Sequence, residues 1–330
     1  MATRVSAAAG MQIPGFEIAE VLQQSGPRVL LRARRATGES VMLTTLRAQY
    51  PDPRDVAELR REFDIVQGVD LPGVVRTRSL VSWGSGNFAI ELEQAGTSLA
   101  ERLATAPGQP MPLAEFFPIA IQLARTLGAL HERHIVHKNV VPHNVFVDVD
   151  GVVRLTDFGI CSELSRERQD ARLSARIEGS LPYISPEQTG RMSRDVDYRS
   201  DFYSLGVTCF ELVTGRLPFS AADPLEWVHR HVSQTPPTAH EINRDVPEPL
   251  SRIIGKLLAK SADDRYQSSF GLVADLTRCR DEFAAGGRVE PFPLGASDVS
   301  RSFQIPQQLY GRERDIEQLV ELFEDVAHGG

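Results

Sequence analysis

The side chains able to do chemistry gather in a few short segments of this sequence. Three histidines, His131, His134 and His137, recur at intervals of three in HERHIVH, a spacing that invites a zinc reading. The polar residues crowd further along, in HKNVVPHNVFVD (137–148) and TDFG (156–159). Three cysteines, Cys161, Cys209 and Cys279, are odd in number, far apart and outside any CxxC spacing, which argues against a disulfide framework or a zinc site. No GxxxxGK[ST] phosphate loop occurs in the chain.

Elements must hold these segments in place. From Phe16 to about Leu46, FEIAEVL, RVLLRAR and SVMLTTL alternate between SGP and ATGE turn signals, which predicts an antiparallel three-strand meander. Behind Asp52-Pro53, Val56, Leu59, Phe63 and Val66 recur at helical spacing, and LPGVVR and FAIELE return to strand character. Beyond Gly96 helices dominate. Ile119, Ala120, Leu123, Ala124, Leu127 and Leu130 make one wide apolar stripe, and SDFYSLGVTCFELV (200–213) is apolar nearly all round, a helix buried at the centre of its lobe and closed by Gly215.

With 42% hydrophobic and 24% charged residues, the 330-residue chain has material for two cores. A formal charge of -8 offers no global positive field for nucleic acid or an anionic membrane. The start lacks the apolar stretch of a secretory signal and no later run nears about 18 uninterrupted apolar residues, so a cytoplasmic protein without membrane contact is expected.

The order of meander, helix, two strands and helical lobe, followed by HKNVVPHNVFVD, TDFGI, GSLPYISPEQ, YRSDFYSLG and DDRY, resembles the bacterial serine/threonine protein kinases over nearly all of Phe16–Phe283. The resemblance implies an α+β, bilobal fold: a small antiparallel-sheet N-lobe with one helix (16–95) and a larger helical C-lobe (96–283). YISPEQTGRM, VDYRSD and IPQQLYGRERDIEQL look like the kinase-like domain that opens large bacterial signalling proteins, ahead of an AAA-type ATPase and often a sensor histidine kinase. On that likeness 1–15 is a flexible N-terminus, 284–305 a Gly- and Pro-rich linker, and 306–330 the start of an ATPase domain. Ile316, Leu319, Leu322 and Phe323 share one face of its first helix. The ATPase and sensor-kinase domains of a longer protein, or other signalling proteins, are then the expected partners.

Phosphoryl transfer needs a glycine-rich loop, a strand lysine paired to a helix glutamate, magnesium ligands and an aspartate that takes the hydroxyl proton. The family's His-Arg-Asp falls on His137-Lys138-Asn139, and an asparagine amide has no lone pair basic enough to take that proton. The catalytic-loop lysine falls on Val141 and the strand lysine on Thr44. Its partner Glu62 is expected to rotate out or to find an arginine near Arg61. The loop glycines fall on Gln23, Ser25 and Arg28, Met42 replaces the small residue above the adenine, and Phe146 the leucine below it. Asn144 and Asp157 match the two magnesium ligands, and Asp157 and Phe158 also fit a purely structural turn. His137, Glu187, Asp201 and Arg265 match residues that support the DFG turn, the activation segment and the catalytic loop. The segment 162–179 reads as an activation loop with Ser165 and Ser174 as phosphoacceptors.

The reading is therefore a kinase-like regulatory module that requires no cofactor, ATP and magnesium binding at most weakly. Two alternatives are an atypical ATP-dependent kinase using Arg28 as its phosphate-binding cation, and a nucleotide sensor without turnover.

Overall fold

A computed structural model describes residues 11–163, 179–191 and 195–299, all within the first of two units into which the chain divides after Val299. The meander forms as expected: β1 (Phe16–Ser25), β2 (Arg28–Arg35) and β3 (Ser40–Leu46) pair antiparallel, and β4 (Thr77–Trp83) and β5 (Asn87–Glu93) complete a sheet of order β1-β2-β3-β5-β4. The two-residue period of the strands splits their side chains between two cores. Val29, Leu31, Ala33, Val41, Leu43 and Ala89 pack with Ile13 and Trp83 on one face. Leu30, Met42, Leu46, Ile90 and Leu92 pack on the other, against Leu59 of α1 (Pro53–Val66). Helix α1 starts where Asp52 accepts the Arg54 N–H at 2.8 Å and Pro53 occupies the first turn.

One strand expectation fails. LPGVVR does not join the sheet; it is a turn that crosses to the helical lobe. The Val75 N–H donates to the Leu155 carbonyl at 2.9 Å and the Leu155 N–H to the Gly73 carbonyl at 2.8 Å. Gly73 is needed there, because a Cβ would lie 1.8 Å from Thr126 Oγ1. The apolar Val74 and Val75 serve this crossing, and the outer strand β4 comes from TRSLVSW instead.

The helical lobe opens with β6 (Thr97–Ser98), which pairs with β8 (Val145–Val147) beside β9 (Val153–Leu155), while β7 (Ile135–Val136) pairs with β10 (Ser162–Glu163). Helix α2 (Leu99–Thr105) starts on a Ser98/Glu101 capping box. Helix α3 (Leu113–His131) is, among the described residues, the one helix long and apolar enough to cross a membrane, and 67% of it is buried inside the domain. Every residue of α4 (Arg199–Thr214) except Glu211 is buried, and Gly215 ends it at φ 73°. Around it stand α5 (Pro224–Ser233), α6 (Ala239–Ile242), α7 (Glu248–Leu257) and α8 (Ser269–Gly286).

The stretch after α8 departs from a free linker. Residues 288–298 run back along α8: Phe292 is buried beneath the Arg278 guanidinium at 4.2 Å. The Gly295 N–H donates to Asp275 Oδ2 at 2.7 Å, and Asp298 accepts the Gln267 N–H at 2.8 Å. Gly and Pro content marks the absence of regular structure, and here that irregular chain is still packed. The ATPase-like segment 306–330 lies outside the described residues.

Candidate functional site

The floor of the cleft is organised by one buried carboxylate. Asp201, in the first turn of α4, accepts the backbone N–H groups of His137 (2.9 Å) and Lys138 (2.6 Å) and the His131 ring Nε2–H (2.8 Å). Burial works against its charge, but the His131 hydrogen bond and the His137 backbone N–H hold its carboxyl below the usual range. Lys138 sits at φ 65°, a left-handed conformation fixed by these bonds. His137 donates from Nε2 to the Thr156 carbonyl (3.0 Å), accepts the Asn139 N–H at Nδ1 (3.2 Å), and lies 4.7 Å from the Phe158 ring. Burial keeps its imidazole neutral by lowering its pKa. His137 and Phe158 thus pack together at the turn, while His131 serves Asp201 and His134 is exposed. Among the described residues no group of three or more His, Cys, Asp or Glu could hold a metal.

Asp157, also left-handed at φ 65°, faces two amides. Asn139 Nδ2 donates to Asp157 Oδ2 at 3.0 Å and Asn144 Nδ2 to the same oxygen at 3.1 Å, while Asn144 also donates to the Asn139 carbonyl at 2.9 Å. The Oδ1 atoms of both asparagines are buried without a partner. The structure therefore brings Asn139, Asn144 and Asp157 together. Val141 is buried two residues on and brings no charge.

Across the cleft Glu62 has not rotated out; of the two expected courses it takes the other and finds an arginine, Arg28 rather than one near Arg61. It is buried and forms an ion pair with Arg28, and its Oε1 accepts the Phe158 N–H at 3.1 Å. Arg28, the first residue of β2 after the Gly26-Pro27 turn, lies flat on Gly159: a Cβ there would stand 2.1 Å from Arg28 Nη1. Neighbouring Arg61 is not the partner. Burial pushes the Glu62 carboxyl up to about 7, Arg28 pulling it back in part and Asp157 adding to the rise. Burial works to lower the Arg28 pKa, yet the net shift is upward because Glu62 and Asp157 face it.

Above, Met42 is fully buried, and Phe146 is 1% exposed in the same apolar cluster as Met42, Leu30, Leu92 and Ala95. The cavity beside them, lined by Gln23, Ser25, Arg28, Thr44 and Asp157 among others, measures about 20 Å³. That suits a water molecule, whereas ligand pockets run to about 300 Å³ or more. Asp157 and Asn144 supply oxygen atoms that suit magnesium.

Below, Glu187 and Arg265 form a buried two-pronged pair (2.7 and 2.9 Å) to which Ser200 Oγ adds a bond at 2.6 Å. This fastens the GSLPYISPEQ segment to the last helices, and Gln188 Nε2 adds a bond to the Lys138 carbonyl at 3.0 Å. Sequence reasoning missed that Gln188 contact and the Arg28–Gly159 packing. The glycine after Asp157-Phe158 was a visible signal for the second. Ser165 and Ser174 lie outside the described residues.

Comparison with known proteins agrees with this geometry. The protein kinase domain profile matches residues 25–273. The chain is 30% identical to the serine/threonine-protein kinase PrkC of Bacillus subtilis, covering 82% of this chain and 42% of that protein. It is 28% identical to PknB of Mycolicibacterium smegmatis, over 88% and 46%. It is also 28% identical to hybrid signal transduction histidine kinase G of Dictyostelium discoideum, over 65% and 9%. The chain spans less than half the length of each of these relatives.

Proposed function

The chain belongs to the protein kinase domain family, and from that premise we propose that it is a catalytically impaired member, a pseudokinase that serves signalling as a regulatory module rather than by phosphoryl transfer. The observation that carries this is Asn139: at the position of the proton acceptor stands an amide whose N–H is already given to Asp157. The remaining amide oxygen is too weakly basic to take the proton of a substrate hydroxyl, a loss of about 10²- to 10⁴-fold in general-base catalysis. Val141 removes the cation that would steady the transferring phosphate, and Met42 and Phe146 close the apolar slot. The module would act through the surfaces of its helical lobe on partners such as ATPase or sensor-kinase domains. The match to a hybrid signal transduction histidine kinase supports that setting.

A second reading has its own observation. Arg28 pairs with Glu62 as the missing strand lysine would, and its Nη2 is buried without a partner, so an atypical kinase would use it to hold phosphate. A nucleotide sensor without turnover would draw on the same cation. One experiment separates them: thermal melting with and without ATP and magnesium. A ligand at 100 times its dissociation constant adds about 2.7 kcal/mol of stability. The pseudokinase reading expects no shift at millimolar nucleotide. A clear upward shift abolished by Arg28→Ala would move the assignment to the second reading if phosphate is transferred, and to the sensor if it is not.

A further inference from the structure

The stretch that follows α8 does more than leave the domain. It descends the length of that helix and ends at its first turn, where Asp298 takes two donors: the Gln267 N–H at 2.8 Å and Ser268 Oγ–H at 2.7 Å. Ser268 in turn caps α8 by accepting the Gly271 N–H at 3.1 Å. The fit is tight enough that a Cβ on Gly271 would stand 2.5 Å from the Asp298 Cβ. Higher up, the seat is built of the buried Phe292 under Arg278 and of Asp275, which accepts both the Gly295 N–H (2.7 Å) and the Tyr266 hydroxyl (2.6 Å).

Gln267 connects this end of the chain to the cleft. Its carbonyl accepts the Tyr198 hydroxyl at 2.9 Å and its Oε1 the Arg199 Nη1–H at 2.9 Å. The Tyr198 ring packs on the His131 ring at 5.3 Å, and His131 holds Asp201, the carboxylate on which the backbone of His137 and Lys138 hangs. Asp298 is thus five contacts from the loop that carries Asn139, with Gln267, Tyr198, His131 and Asp201 between them.

We propose that residues 288–298 form a strap whose seating on α8 sets the order of the loop around Asn139. The strap continues directly into the remainder of the chain, so whatever pulls on or binds that remainder acts first on Asp298. Its backbone belongs to no helix or sheet and only Phe292 among its residues is buried, which places it among the segments that open more readily than the helices beneath it. Seated, it fixes Gln267 and with it Tyr198 against His131. Lifted, it takes the acceptor from the Gln267 N–H, so that Gln267 is held by its side chain and the Tyr198 hydroxyl alone and the imidazole that steadies Asp201 loses part of its backing. The inference rests on the packing of the helical lobe and not on whether the cleft takes nucleotide.

Hydrogen exchange of the full 330-residue chain, without nucleotide, tests it. Asp298→Asn keeps the side chain's shape and removes its charge, and Asp298→Ala removes the contact; both are checked for native far-UV circular dichroism. Ser268→Ala removes the helix cap but leaves the Asp298–Gln267 bond. The expected result is exchange about tenfold faster in the peptide holding His137 and Lys138 for both Asp298 variants, with Ser268→Ala speeding only the first turn of α8. Unchanged exchange at His137 and Lys138 in the Asp298 variants would overturn the proposal. So would equal loosening there in Ser268→Ala, since fraying of α8 would then be the cause.

Discussion

Glu62 is the residue whose surroundings make the sharpest prediction. In the unfolded chain its carboxyl titrates near the ordinary 4.5, and in the folded protein near 7. Between those values the folded state keeps a proton that the unfolded state has lost, so the Glu62 contribution to stability falls as pH rises from about 4.5 to about 7. His231 works the other way: burial, then Lys260, lowers its pKa to about 4, so its contribution is lost as pH falls from 6.5 toward 4. The two trends overlap, and the bare melting profile mixes them. The difference between wild type and Glu62→Gln isolates Glu62, because His231 is common to both. That difference should shift against the wild type by on the order of 2 kcal/mol from pH 5 to pH 7, each unit of pKa shift being worth about 1.4 kcal/mol. A flat difference would mean that Arg28 holds Glu62 ionised throughout.

Asn139 supports a second residue-scale prediction. Asn139→Asp restores the family's carboxylate but sets it against Asp157 in place of an N–H donor. The variant should be less stable by about 1–3 kcal/mol in urea unfolding. It should also release no ADP from ATP, because Val141 and the filled slot remain. ADP release above the wild-type level would show that the base was the principal defect.

At the scale of elements, Met42 on β3 and Phe146 on β8 share one apolar cluster to which each lobe contributes a strand, and the LPGVVR crossing bonds the two lobes at Leu155. Met42→Ala should cost about 2–5 kcal/mol, as buried methionine truncations do. If slot filling excludes nucleotide, part of that cost should return on adding ATP; a variant whose melting ignores ATP would place the block at Arg28 instead.

The elements were legible where a period or a cap declared them. The meander, α1 and the buried α4 with its Gly215 stop follow from alternation, Asp52-Pro53 and the all-round apolar run. LPGVVR misled because a short apolar stretch reads alike whether it pairs in a sheet or bridges two lobes. That Glu62 would find an arginine was legible as one of two courses, but not which one, because Arg28 is 34 residues away, a distance at which no local rule operates. The substituted positions Thr44, Asn139 and Val141 were readable from motif order, but that Asn139 donates to Asp157 is a fact of geometry alone. The packed segment 288–298 escaped notice because its Gly and Pro content carries no period.

For the whole molecule, the pair that ties the far end of the chain to its middle is Glu187–Arg265. Arg265 is fully buried and its bonds reach Glu187 as well as the carbonyls of Ala259, Arg199 and Lys260. The Arg265 hydrogen bonds and charge, with help from Ser200, hold the Glu187 carboxyl below its ordinary pKa against the opposing effect of burial. Removing one partner leaves the other charge stranded, so Arg265→Met should cost about 3–5 kcal/mol in denaturant unfolding. Glu187→Leu combined with Arg265→Met removes both charges and should recover much of that loss, since a buried pair replaced by apolar groups of similar size is often neutral. Equal losses in the single and double variants would assign the effect to the carbonyls that Arg265 also satisfies. On the pseudokinase reading proposed above, the shape that this tie preserves is what partners would use. The Arg265→Met protein should therefore lose partner binding in parallel with its fold, and no separate catalytic loss should be measurable beside it.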